Sequence, residues 1–149
     1  MTTTDKYDRM FLTIKEKELL IMKVLVLSNN KFEVKEIENT LEELQAIVGG
    51  YIEIPFLSRV FADNGIDVII NEEGKFIEDC KPQIAIVDGE TKQILDVVHG
   101  NCIFASHNEE GDTTELTEEQ MKVVMQELRM DVVLTYPDDK KFATKLLFV

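Results

Sequence analysis

The chain has 149 residues, 44% of them hydrophobic and 30% charged. That is the size and composition of one ordinary globular domain, with enough interior to fold without disulfides or metal. Lys and Arg number 16 against 29 Asp and Glu, a net charge of −13, which argues against a binder of nucleic-acid backbone, because phosphates demand a basic footprint. The two cysteines, Cys80 and Cys102, make no disulfide framework and point to a reducing cytoplasm. No apolar run reaches the ~18 residues of a membrane span, and Thr2-Thr3-Thr4 followed by mixed charges lacks the order of a signal peptide.

Residues 1–21 carry four bases (Lys6, Arg9, Lys15, Lys17) and four acids (Asp5, Asp8, Glu16, Glu18), so the whole charge of −13 falls in residues 22–149. Two readings of this segment stay open. Lys17-Glu18 can be encoded by AAG GAG, a ribosome-binding sequence, with Leu19 to Ile21 as spacer before a start codon at Met22; residues 1–21 would then be a translated leader. Alternatively they form an extra helix with Met10, Ile14 and Leu19 on one face.

From Met22 the near-continuous apolar run Met22-Lys23-Val24-Leu25-Val26-Leu27 predicts a buried strand. Ser28-Asn29-Asn30 is turn chemistry, and the alternation through Phe32 and Val34 predicts a half-exposed hairpin partner. Thr40 with Glu43 has the spacing of a capping box, and Leu41, Leu44, Ile47 and Val48 form an apolar stripe that Gly49-Gly50 ends, predicting a helix over about 40–49. Tyr51 to Leu57 reads as a strand shortened or edged by Pro55, with Ile52, Ile54 and Phe56 on one face. Arg59 to Asn64 reads as a loop closed by Gly65, followed by a strand from Ile66 to Asn71 and a turn at Glu72-Glu73-Gly74. Gln83 to Val87 is a strand, Asp88-Gly89 a turn, and Ile94 to Ala105 one longer strand bulged at Gly100.

After an acidic turn at Glu109 to Asp112, Thr117 and Gln120 form a second capping box, with Leu116 placed to staple on Met121. The helix over about 117–129 buries Met121, Val124, Met125 and Leu128. Val132 to Leu134 is extended again, Pro137-Asp138-Asp139 breaks the chain, and the apolar run Leu146 to Val149 should dock within the domain or on a second subunit. The sum is α+β: a mostly antiparallel sheet of five to seven short strands with two main helices, residues 22–149 forming one domain with a C-terminal extension over 130–149.

Met22-Lys23-Val24-Leu25-Val26, Val48-Gly49-Gly50-Tyr51-Ile52-Glu53, Asn71-Glu72-Glu73-Gly74-Lys75, Asp96-Val97-Val98-His99-Gly100-Asn101 and Leu116-Thr117-Glu118-Glu119-Gln120 occur in an order and spacing that resemble a family of short phage and bacterial domains, the domain-of-unknown-function family 3846. The resemblance spans roughly residues 22–128. Family members often carry a Pro-Asn-Arg-like segment after the Gly-Lys turn; here that region reads Cys80-Lys81-Pro82-Gln83-Ile84. The resemblance implies a mobile-element setting and no reaction. Small phage accessory proteins often antagonise host defences, an inference from context.

The sequence supports no catalytic residue and no metal or cofactor. Asp96, His99, Cys102 and His107 include good ligand types, but on one continuous strand Asp96 and Cys102 take one face, His99 and His107 the other, and the histidines stand about 26 Å apart at ~3.3 Å per residue. Gly49-Gly50-Tyr51 is a helix end rather than a phosphate loop, lacking the Lys-Ser/Thr that should follow. Glu109, Glu110, Asp112, Glu115, Glu118 and Glu119 run without a base; Glu118 and Glu119 suit a helix N-terminus, and Glu109, Glu110 and Asp112 read as a solvated turn or a face for a basic partner.

The expected function is therefore a small acidic non-enzymatic binder, an antagonist of host defence with two modes. One blocks a host defence protein through the acidic face. The other sequesters a small signalling nucleotide, with Tyr51 as stacking platform, Arg59 and Lys75 for anionic groups, and Asn71, His99 and Asn101 completing the ligand-binding set. A homo-oligomer through the apolar C-terminus fits either mode; a membrane fits neither. The alternatives are an enzyme of unknown class on a small substrate using His99 and Cys102, and a structural or regulatory module with no defence role.

Overall fold

A computed structural model describes residues 21–149. The leader and helix readings of residues 1–21 lie outside the described residues except at Ile21, which is the first residue of a strand. The fold is α+β, as the sequence predicts. The described residues form ten strands in two sheets and three helices, more strands than the five to seven expected.

The first sheet contains β1 (Ile21–Ser28), β2 (Lys31–Glu38), β3 (Ile52–Glu53), β4 (Asp67–Asn71), β7 (Cys102–His107) and β8 (Thr113–Thr114), in the order β2-β1-β7-β4-β3 with β8 also on β7. The second contains β5 (Pro82–Val87), β6 (Ile94–His99), β9 (Asp131–Thr135) and β10 (Lys141–Phe148), in the order β6-β5-β10-β9. Every pairing is antiparallel except β5 with β10.

The near-continuous apolar run of β1 follows from burial on both faces of its sheet. Successive side chains alternate sides: Leu25 and Leu27 enter the larger core, while Met22, Val24 and Val26 enter a second one. β7 divides likewise, Cys102 and Phe104 to the first, Ile103 and Ala105 to the second. The larger core takes Ile84 and Ile86 of β5, Val98 of β6 and Leu147 of β10, so it fills the space between the sheets. The β1–β2 hairpin turns in two residues, Asn29 and Asn30, both at positive φ (51° and 61°), as a turn matched to strand twist requires.

Helix α1 (Leu41–Val48) covers the second core with Leu44 and Val48. The Thr40 hydroxyl accepts from the Glu43 N–H at 3.2 Å. Leu41 is exposed, so the buried stripe is narrower than the sequence suggests. Helix α3 (Glu118–Glu127) places Met121 and Val124 in the larger core, leaves Met125 exposed, and begins with the complete Thr117–Gln120 capping box. Leu116 shares that core with Met121, as a hydrophobic staple requires. Truncating Leu44 to Ala empties part of the second core, and a loss of ~2–5 kcal/mol is expected in denaturant melts, against an unchanged midpoint if Leu44 lay outside the core.

Three local departures from the sequence reading matter for function. Residues 59–64 are not a loop: Arg59–Asp63 form a short helix, α2, whose N-cap Ser58 accepts from the Phe61 N–H at 3.2 Å. The strand expected over Tyr51–Leu57 is only Ile52–Glu53, and Ile54 and Phe56 are exposed. The strand expected over Ile94–Ala105 is two strands in different sheets. At Gly100 (φ 89°) the chain crosses from the second sheet to the first, and the Gly100 N–H donates to the Lys81 carbonyl at 2.8 Å.

The C-terminal run Leu146 to Val149 docks within the domain. β10 lies between β5 and β9, Leu147 is fully buried, and the Val149 N–H donates to the Val87 carbonyl at 2.9 Å.

Candidate functional site

The crossing at Gly100 leaves β6 as one edge of the second sheet, near the short edge strand β3 of the first. Between them opens a cavity of about 490 Å³. Its walls come from the end of β3 and the segment after it (Glu53, Pro55, Phe56, Leu57), from the end of β4 and the 3₁₀ turn Gly74–Phe76, and from β6 (Leu95, Asp96, Val98, His99). Gly74 is pressed against the His99 carbonyl, where a Cβ would collide, and this contact brings Lys75 to β6.

Lys75 and Asp96 form an ion pair at the rim. Burial pushes the Asp96 carboxyl up, but hydrogen bonds from Lys75 and from the Val97 N–H, with the Lys75 charge, leave it below the usual carboxylate range. Burial holds His99 below the ordinary imidazole value, aided by the Lys75 charge and opposed by the Val97 backbone and Asp96. Its Nε2 lies 3.1 Å from the Tyr136 hydroxyl. The ring is therefore neutral at pH 7. Glu53 and Glu72 add carboxylates, so the lining holds three acids against one lysine already paired.

The structure gathers Asn71, Lys75 and His99 from the expected ligand set at this cavity. It does not gather the others. Tyr51 is exposed and outside the lining. Arg59 sits on α2, fully in solvent, 3.8 Å from Asp63. Asn101 donates from Nδ2 to the Ile47 carbonyl at 3.0 Å. Asn71 itself donates from Nδ2 to the Val48 carbonyl at 3.2 Å and accepts from the Glu73 N–H at 2.8 Å.

Together with Gly49 and Gly50, whose N–H groups donate to the Gln45 carbonyl, the two asparagines satisfy carbonyls that the end of α1 leaves open. Glu109, Glu110 and Asp112 lie on an exposed turn. There Asn108 Oδ1 accepts from the Glu110 and Asp112 N–H groups at 3.0 and 2.9 Å, and Gly111 takes φ 85°.

Cys102 is fully buried on β7, its thiol 3.5 Å from the Gly100 carbonyl; burial, with a smaller contribution from Cys80, pushes it up to about 12. Such a thiol is protonated and closed to substrate. Cys80 borders Gly100 too: its Sγ lies 3.1 Å from where a Gly100 Cβ would stand. Among the described residues no three His, Cys, Asp or Glu side chains gather as a metal group, and no helix is long and apolar enough to cross a membrane.

The features that stand out at the cavity are ones the sequence reading passed over. Phe56 is 75% and Phe76 is 86% exposed at its rim, where solvation of an aromatic face has no stabilising purpose in the free chain. Pro55 signals locally only that the strand is short or at an edge, not where Phe56 will point.

With this architecture in view, the comparison with known families is decisive over most of the domain. The family model of domain-of-unknown-function family DUF3846 matches residues 22–129. The chain belongs to that family. The match takes in β1 through α3, and hence every cavity residue except Val149; β9 and β10 lie beyond it. No curated protein and no solved structure matches this DUF3846 chain.

Proposed function

We propose that the chain is a small acidic, non-enzymatic binding protein that holds a basic partner protein at the Phe56–Phe76 mouth. In the mobile-element setting its family resemblance implies, the partner is a host defence protein that binding blocks. The observation that carries this reading is the pairing of two solvated aromatic rings with a lining of Glu53, Glu72 and Asp96. A guanidinium can stack on a phenyl face while carboxylates accept its N–H groups. A phosphate entering there would meet net negative charge, and Tyr51 and Arg59 stand outside the cavity, so this mouth suits a protein blocker better than a nucleotide trap. An enzyme using His99 and Cys102 is disfavoured because the thiol is buried and protonated.

The test is fluorescence anisotropy of an Arg-rich peptide against the wild type, Phe56→Ala/Phe76→Ala and His99→Asn/Cys102→Ala. The aromatic pair should cost ~2 kcal/mol or more of binding, and the wild-type association rate should fall with salt. The His99/Cys102 variant, checked for an unchanged melt, should bind nearly as the wild type does, since His99 borders the cavity but is neither one of the two rings nor one of the three carboxylates. Equal affinity in the aromatic variant would overturn the proposal.

A further inference from the structure

A second cavity, of about 220 Å³, lies where the Asn29–Asn30 hairpin turn meets the first residues of β5 and β10. It is lined by Asn29, Asn30, Lys81, Pro82, Gln83, Lys141, Phe142 and Ala143, with no carboxylate among them. In a chain of net charge −13 this is an unusual place. Neither Lys81 nor Lys141 has an ion-pair partner among the described residues.

Gln83 is only 2% exposed yet lines the cavity. Its Oε1 is engaged, accepting from the Asn30 N–H at 3.1 Å, which leaves its Nε2 as the group it offers there. Asn30 Oδ1, an acceptor, is buried without a partner and so adds no donor for an anion. Buried amides normally have their partners. Two ammonium groups, the Gln83 Nε2 and no carboxylate are the donor set an anion needs.

The space continues. A neighbouring cavity of about 510 Å³ shares Lys81, Pro82, Lys141 and Phe142 and adds Tyr136 and Lys140. Phe142 and Tyr136 pack with ring centroids 5.4 Å apart, an apolar wall beside the charged corner. The carboxylates of this region, Glu78, Asp79 and Asp138, border only the larger part. They oppose a second phosphate but accept from hydroxyl or amino groups.

We infer that Lys81, Lys141 and Gln83 form a binding site for a single phosphate group carried on an organic body, the phosphate in the small cavity and the body along Phe142 and Tyr136. The site lies apart from the Phe56–Phe76 mouth, touching it only where the Tyr136 hydroxyl stands 3.1 Å from His99 Nε2. Lys141, Phe142 and Tyr136 lie beyond the residues matched by the family, so the site is made jointly by the family domain and the C-terminal strands.

The experiment titrates the full chain with orthophosphate, AMP and adenosine, following amide chemical shifts by NMR. AMP should bind at least as tightly as orthophosphate, adenosine should not bind, and shifts should cluster at residues 29–31, 81–83 and 141–143. Lys81→Glu/Lys141→Glu, two exposed positions whose variant is checked for an unchanged circular dichroism melt, should weaken AMP by about tenfold or more, a loss of ~1.4 kcal/mol. Phe56→Ala/Phe76→Ala should leave AMP binding unchanged. The inference fails if no phosphate-bearing probe binds, if adenosine matches AMP, or if the double-lysine variant binds as the wild type does.

Discussion

A chain ending at Met130 is expected not to fold, although the family match stops at residue 129. β10 sits inside the second sheet, hydrogen-bonded to β5 on one side and β9 on the other. Without it, β5, buried along its whole length, becomes an open edge beside a single hairpin partner. Leu147 and Thr144, both fully buried, and Leu134 leave the interior at the same time. Loss of Leu147 alone corresponds to ~2–5 kcal/mol of cavity formation, and a domain of this size has only ~5–15 kcal/mol in total. The bared edge of β5 adds an aggregation hazard. Full-length and 1–130 chains compared by circular dichroism and amide NMR should give one cooperative melt and one unfolded or aggregated sample. A cooperative melt from the short chain would show that the second sheet closes without β10.

How much of this was legible from the residues varies with the range of the interaction involved. β1 declared itself because a strand buried on both faces has no polar alternation, and Thr117 with Gln120 declared α3 because a capping box is local. Gly100 was visible only as an irregularity. A single glycine marks a bulge and a change of sheet alike, and the choice depends on which partners β6 and β7 find, β5 and β1 respectively. The parallel pairing of β5 with β10 joins segments about sixty residues apart, a separation on which periodicity is silent. α2 was missed because five residues leave no room for an apolar stripe; only Ser58 signalled it. The candidate site suffered most. Its rim draws on residues near 56, 76 and 96, and nothing local says that an edge phenylalanine will stay in water.

The same contrast explains why Asn71 looked like a ligand residue, and it leads to the second large effect. Replacing Asn71 with Leu is expected to destabilise the fold by ~2–4 kcal/mol, because an unsatisfied buried donor or acceptor costs ~1–3 kcal/mol and this side chain serves two. Its Nδ2 holds the Val48 carbonyl at the end of α1, and its Oδ1 holds the Glu73 N–H that starts the turn toward Lys75. Leucine fills similar volume but strands both groups. It also crowds Gly50, where a Cβ would already stand 2.9 Å from the asparagine amide.

Asn71→Asp separates the two bonds. It keeps the acceptor for Glu73, loses the donor to Val48, and sets a buried carboxylate against a carbonyl, so it should be no more stable than the leucine variant. Guanidinium melts of the three chains at pH 7 decide the matter. Should Asn71→Leu melt within ~0.5 kcal/mol of the wild type, the range of ordinary surface substitutions, Asn71 is not holding α1 to the turn. A loss of the expected size makes it the tie that fixes Gly74 and Lys75 against β6, so that the shape of the Phe56–Phe76 mouth depends on a helix end on the other side of the sheet.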